Sequence, residues 1–264
     1  MTTLKEMLLQ EQARLEHILQ KTTEQLKDVP QGRLRISSSG KWTQYYHCTP
    51  GGRRNGTYIP KNKEGLIREL AQKSYDEKVL KLVQRRLSQL RILTREYEDE
   101  ELEQIYLKEN PEKQKLIQPA EPTWAQRLAA WEEKDYIQKE FREDIPVILT
   151  ERGERVRSKS EKILADYFHQ NGIPYKYERP LHLKGFGTVH PDFTFLSKKS
   201  GSEIYWEHDG RMDDPGYAQN AVKKILAYED NGIFPGERLI LTFETEKTIL
   251  DTRLIKRLVS RYLL

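Results

Sequence analysis

The sequence predicts an α/β protein. Its C-terminal part reads as a mixed sheet flanked by helices, and an α-helical arm with a small β-hairpin unit precedes it. Three observations carry this. Residues 158–264 alternate in the order α-β-β-β-α-β-α, the pattern of a sheet covered by helices on both faces. Residues 61–97 keep apolar side chains at helical spacing well beyond an ordinary globular helix. Between the N-terminal helix and that long one, residues 33–60 hold short β-like runs separated by Ser-Gly, Gly-Gly and Asn-Gly. The division expected is 1–150 for the helical region with its β unit and 151–264 for a site-bearing domain. The boundary is placed in the polar stretch 135–157, around Pro146 and Gly153.

In chain order, Leu4, Leu8, Leu15, Ile18, Leu19 and Leu26 give the first helix its apolar side, and Pro30-Gln31-Gly32 ends it. The acids inside this helix argue against a secretory signal. The runs Arg33–Ser37, Trp42–Cys48 and Thr57–Ile59 follow, with Trp42, Tyr45 and Tyr46 interleaved with Lys41, Arg53 and Arg54. Such a mixture either stacks on bases and grips phosphates or forms the core of a small sheet with a solvated turn. The long helix carries Leu66, Ile67, Leu70, Val83 and Leu87, and becomes strongly basic at Arg85, Arg86 and Arg91. An acidic helix stopped at Pro111 comes next, then a shorter one over 121–134 with Trp124, Leu128 and Trp131 along one side.

Charge is distributed unevenly. Residues 31–95 hold 15 Lys and Arg against 4 Asp and Glu, whereas residues 96–145 hold 7 against 15. A basic block of this size is either a polyanion-binding face, with Lys41, Arg53, Arg54, Arg85 and Arg86 as its candidate contacts, or a segment neutralised by the acidic block. No run approaches the ~18 apolar residues of a membrane span. Cys48 is the only cysteine, which excludes an intrachain disulfide and a cysteine zinc cluster and suggests a reducing, cytoplasmic setting.

The chemistry concentrates in His190–Gly210. Asp192 lies in HPDFTFL and Glu207 in EIYWEHDG, each among aromatic and β-branched residues where a strand ordinarily holds apolar ones. A carboxylate in such surroundings is costly without a partner, and a hard divalent cation bound through one or two carboxylates is a suitable one. If the two runs pair as neighbours, the two acids lie side by side near the sheet end. On the preceding helix, Ser158 and Glu161 have capping-box spacing, yet Glu161 also points toward the apolar face of Leu164 and Phe168. Asp213, Asp214 and Pro215 read as a helix start, and LKGFGT, with Lys184, as a hairpin tip.

Glu161, His190-Pro191-Asp192 and Glu207-His208-Asp209, in this order of elements, resemble the PD-(D/E)xK nuclease superfamily, the restriction-endonuclease-like fold. The resemblance covers residues 158–245. It implies a magnesium-dependent hydrolase of phosphodiester bonds, with manganese as an alternative ion and DNA ahead of RNA as substrate, in a defence or mobile-element setting. It implies that Asp192, Glu207, Glu161 and the backbone carbonyl of His208 hold the metal. The family's lysine position is filled here by Asp209. Some members supply that lysine from the following helix, which offers Lys223 and Lys224. With Ile225 taken as the centre of a buried stripe that includes Ala218, Ala221, Val222 and Tyr228, Lys224 flanks the core while Lys223 faces solvent, so Lys224 completes the expected catalytic set. His190 and His208 are reserves. The Asp209 departure keeps an alternative open: a catalytically inactive nuclease-like domain serving as a nucleic-acid-binding or protein-interaction subunit. The helical arm is the expected surface for a protein partner or a second copy.

Overall fold

The computed structural model describes residues 3–39, 42–141 and 146–263. Two compact units are present, residues 2–101 and residues 102–264. The division differs from the 150/151 boundary read from sequence, and side-chain anchors explain why. Trp131 Nε1 donates to Glu203 Oε1 at 2.8 Å, Tyr136 Oη donates to the Tyr177 carbonyl at 2.9 Å, and Lys176 Nζ reaches the Lys134 carbonyl. These contacts tie residues 131–136 to the strands that follow. Of the polar stretch 135–157, residues 142–145 lie outside the described residues.

In the N-terminal unit, helix α1 (Leu4–Gln25) opens with a capping box between Thr3 and Glu6. The strands β1 (Arg33–Ser39), β2 (Trp42–Cys48) and β3 (Thr57–Ile59) form an antiparallel sheet in that order. A 3-10 turn at Lys61–Lys63 leads into helix α2 (Glu64–Glu96). Helices α1 and α2 run antiparallel: Lys5 donates to the Tyr97 carbonyl at 2.6 Å, and Glu16 pairs with Arg91 at 2.9 Å further along. Leu15, Val83 and Leu87 fill the seam. The sheet packs on the start of α2 through Ile59, Ile67 and Leu70. Gly32 (φ +92°) lets β1 begin hard against β2, since a Cβ there would lie 2.4 Å from the Cys48 carbonyl oxygen.

The C-terminal unit begins within α3 (Glu101–Leu107) and continues with α4 (Pro111–Gln114) and α5 (Trp124–Glu132). A short hairpin of β4 (Ile148–Leu149) and β5 (Arg155–Val156) precedes α6 (Lys159–Gln170). Then come β6 (Lys176–Tyr177), the hairpin β7 (Leu181–Leu183) and β8 (Gly187–Val189), β9 (Phe193–Leu196) and β10 (Glu203–Asp209). Helix α7 (Pro215–Asp230), β11 (Leu239–Phe243) and α8 (Thr252–Tyr262) complete it. The central sheet has the order β11-β10-β9-β6. Its β10–β11 pair is parallel and the others antiparallel, so the sheet is mixed, and α7 supplies the crossover that a parallel pair requires. The α/β class expected from sequence is the class observed.

Two apolar layers sandwich the sheet. On one side Phe168 of α6 sits among Phe193, Phe195 and Trp206, with ring centres 5.1, 4.9 and 5.3 Å away in edge-on geometry, joined by Ile255 and Val259 of α8. On the other side Tyr205 and Leu239 meet Ala227 and Tyr228 of α7. Two sequence expectations need correction. The run Val189–Leu196 is not one strand, because His190-Pro191-Asp192 separates β8 from β9; Pro191 has no N–H for a ladder. The buried side of α7 carries Ala221 and Tyr228 with the half-buried Lys224 between them, while Val222 is 51% exposed. The packed face is thus rotated from the Ile225-centred stripe toward Lys224. Among the described residues no helix is long and apolar enough to cross a membrane.

Candidate functional site

The site gathers where β9 begins and β10 ends. β10 is the interior strand between β9 and β11, and every residue from Ile204 to Asp209 is buried. Side chains alternate across it, so Trp206 and His208 face the aromatic layer while Glu207 and Asp209 face α7. Glu207 is 1% exposed. Lys224 Nζ donates to its Oε2 at 2.8 Å and Tyr228 Oη to its Oε1 at 2.6 Å. These two donors, one helical turn apart on α7, satisfy both carboxylate oxygens.

Asp192 stands at the end of the break before β9. Its Oδ2 accepts from the His208 backbone N–H at 2.6 Å, which fixes it beside β10. Burial, then the negative charges of Glu207 and Glu161, hold its carboxyl well above the usual aspartate range, against the pull of His208 N–H and Lys224. The Glu207 carboxyl is raised by burial despite its bonds to Lys224 and Tyr228. Asp209 is raised by burial too; its Oδ2 finds no hydrogen-bond partner among the described residues, and Tyr217 Oη lies 3.5 Å from its Oδ1. The Lys224 ammonium loses solvation, yet Glu207, Asp192 and Asp209 together push its pKa upward, so it stays charged.

Glu161 completes only half of a capping box. Ser158 Oγ accepts from the Glu161 N–H at 3.1 Å, but the Glu161 carboxylate takes the Arg157 N–H at 2.9 Å and the Tyr177 hydroxyl at 2.6 Å. That bonding aims Glu161 at the sheet end, where its charge acts on Asp192. Arg157 itself grips Glu178 through Nε at 2.6 Å and Nη2 at 2.9 Å. Glu178 has φ +46°, rare for a residue with a side chain, and its N–H bonds the Asp192 carbonyl at 3.2 Å. The backbone next to Asp192 is therefore held in a strained shape by the Arg157 clamp.

The charges of Glu207, Glu161 and Lys224 thus all act on Asp192, and Lys224 pairs with Glu207, whereas Lys223 is exposed. The His208 ring lies on the far face, between Thr242 Oγ1 at 3.0 Å and Glu244 Oε2 at 2.9 Å, and acts structurally; only its backbone belongs to the site. Asp214 caps α7 by accepting from Gly216 N–H and Tyr217 N–H, and Lys184 N–H bonds Asn231 at the β7–β8 tip. Tyr228, Tyr177 and Arg157 were not legible as site residues, although Tyr228 stands four positions after Lys224, the spacing that puts both on one helix face. Of the basic candidates, Lys41 lies outside the described residues. Arg53 and Arg54 are exposed in the β2–β3 loop. Arg85 and Arg86 are exposed on α2, some 15 residues past the sheet-packing Leu70, or roughly 22 Å at the helical rise. The basic block is spread along the unit rather than gathered in one patch.

The residues fit a hard divalent cation. Asp192, Glu207 and Asp209 all act on the ammonium of Lys224, and Glu161 adds its negative charge at Asp192. Asp192 and Glu207 are the carboxylates that would hold such an ion, whose charge would offset part of theirs. Among the described residues no group of three or more His, Cys, Asp and Glu side chains is set to hold a metal ion, so Glu161 does not join Asp192 and Glu207 in one ready-made ligand set.

Comparison with known proteins yields little. An uncharacterized protein of Methanocaldococcus jannaschii is 37% identical over 86 residues, which cover 32% of this chain and 7% of that protein. The chain thus matches only a small part of that relative's length. No family model matches, and no solved structure does.

Proposed function

We propose that the C-terminal unit is a magnesium-dependent nuclease domain of the restriction-endonuclease-like type, hydrolysing phosphodiester bonds in nucleic acid, DNA ahead of RNA, in the cytoplasm. The observation that carries this is Asp192 fixed against β10 by the His208 N–H, with Glu207 of that strand paired to Lys224 and the Glu161 charge acting on Asp192. The α6-β6-β9-β10-α7-β11 order and the mixed sheet support it.

Asp192 and Glu207 would hold magnesium, or manganese in its place, with Glu161 and the His208 carbonyl in support; the bound ion would activate a water and neutralise a phosphate oxygen. Tyr228 fixes the Glu207 carboxylate, and His208 N–H fixes that of Asp192, so both oxygens are oriented before any ligand arrives. Lys224, charged and 29% exposed at its side chain, would orient an attacking water and offset charge developing on the phosphate. It takes the place that Asp209 leaves without a cation.

A second assignment, a catalytically inactive domain that only binds, rests on one observation: Lys224 is engaged with Glu207 at 2.8 Å. Incubation of the full chain with labelled DNA and with RNA in magnesium separates the two. Cleavage lost in Asp192→Ala and Glu207→Ala, with folding retained, supports the nuclease; cleavage that survives both changes removes the proposed site; no cleavage by the native chain favours the inactive domain.

A further inference from the structure

The three-stranded sheet has two unlike faces. Register places Leu34, Ile36, Tyr45, His47, Thr57 and Ile59 on one face. Part of that face is the layer against α2, formed by Ile59 with Leu34 and Tyr45. The opposite face carries Arg33, Arg35, Trp42, Gln44, Tyr46 and Tyr58. Tyr45 is therefore a packing residue, while the other aromatics are not: Trp42 is 71% exposed and Tyr58 53%. The open face of a two-layer sheet is ordinarily polar, and large exposed aromatics there need a reason.

These rings are held in place by cations. The Arg35 guanidinium lies 4.3 Å from the Tyr46 ring centre, and its Nε donates to the Asn55 carbonyl at 3.1 Å, next to Arg54 in the β2–β3 loop. Lys61 Nζ lies 5.5 Å from the Trp42 ring centre. Tyr58 meets Tyr46 edge-on at 5.9 Å. Residues 31–63 contain seven Lys and Arg and no Asp or Glu, so nothing in this stretch opposes a polyanion. Trp42 and Tyr46, four residues apart on β2, stand about 13 Å apart along the strand and provide two separate ring positions.

We propose that this face binds single-stranded nucleic acid, with unpaired bases stacking on Trp42, Tyr46 and Tyr58 and phosphates neutralised by Arg33, Arg35, Arg53 and Lys61. A duplex keeps its base faces stacked inside, so open rings of this kind select unpaired strands. DNA and RNA share the chemistry. The proposal goes beyond the nuclease assignment and does not depend on it, because the residues belong to the N-terminal unit and need no metal.

The test is binding of the full chain to fluorescently labelled oligothymidine, oligouridine and a DNA duplex in chelator, followed by anisotropy. At least one single strand binds more tightly than the duplex, and comparison of the two polymers shows which sugar is preferred. Trp42→Leu and Tyr58→Ala each weaken binding about tenfold, whereas Trp42→Phe keeps most of it. Arg35→Gln reduces the slope of log affinity against log salt by about 0.7. Ile36→Ser, on the opposite face, binds like the native chain. A duplex bound as tightly as the single strands overturns the proposal. So do unchanged binding by Trp42→Leu and Tyr58→Ala with native circular dichroism, and failure of both polymers to bind. Failure of the nuclease assignment alone leaves every one of these results in place.

Discussion

The two units handle charge in opposite ways. In the C-terminal unit Glu207 is 1% exposed and Asp209 2%, and each charge is felt strongly by its neighbours because little water screens it. In the N-terminal unit Arg53, Arg54, Arg85 and Arg86 are exposed, spread along the structure and screened by salt. Burial makes each carboxylate expensive and therefore consequential; exposure makes each arginine cheap and its effect collective. Single substitutions should accordingly act sharply in one unit and by small increments in the other.

The largest expected effect is at Asp192. Asp192→Asn abolishes magnesium-dependent cleavage while removing a carboxyl that the folded chain ionises at a cost. Because that carboxyl is raised in the folded state, the metal-free native chain retains a proton that the unfolded chain has released. Stability therefore falls as pH rises from the ordinary aspartate range through the raised value. Magnesium or Asp192→Asn flattens that fall, which thermal melting at several pH values checks. Next comes Lys224→Ala, which lowers cleavage by about 100- to 1,000-fold and leaves Glu207 without its cation. The loss of stability is about 2–3 kcal/mol, below the full figure for a buried pair because Lys224 is partly exposed, and Lys223→Ala is neutral in both measurements.

Gly32→Ala destabilises the N-terminal unit by about 1–3 kcal/mol through φ and the Cys48 carbonyl, and urea unfolding shows it with cleavage chemistry unchanged. Tyr228→Phe removes one hydrogen bond to a charged carboxylate, at about 1.5 kcal/mol, and lowers cleavage less than Lys224→Ala does. Arg85→Ala and Arg86→Ala stay within about 0.5 kcal/mol in stability, as exposed substitutions do. A large effect at either arginine, or a negligible one at Lys224, would break the contrast between the units.

Much of this was visible in the chain. The helices over 158–264 and the strands β10 and β11 followed from period and punctuation, because those signals are local, whereas the two strands read over 175–181 and 189–196 are β6 and β7, and β8 and β9. Asp192 and Glu207 stood out because acids interrupt apolar runs. Lys224 was reached through helical geometry, although the face that packs is rotated from the Ile225-centred stripe and leaves Val222 exposed. Tyr228, Tyr177 and the Arg157–Glu178 clamp were hidden, since their roles depend on which strand ends meet, a long-range fact with no local periodicity. The attachment of residues 131–136 to the C-terminal unit was hidden for the same reason. It rests on single bonds such as Trp131 to Glu203, across 72 positions of sequence.

The most direct test is a manganese titration of the full chain followed by electron paramagnetic resonance, comparing the native protein with Asp192→Asn and Glu207→Gln. The carboxylate site predicts saturable binding by the native chain that magnesium displaces, and its loss in both variants while circular dichroism stays native. Equal manganese binding by all three proteins, or none by the native chain, would contradict a metal centre at Asp192 and Glu207.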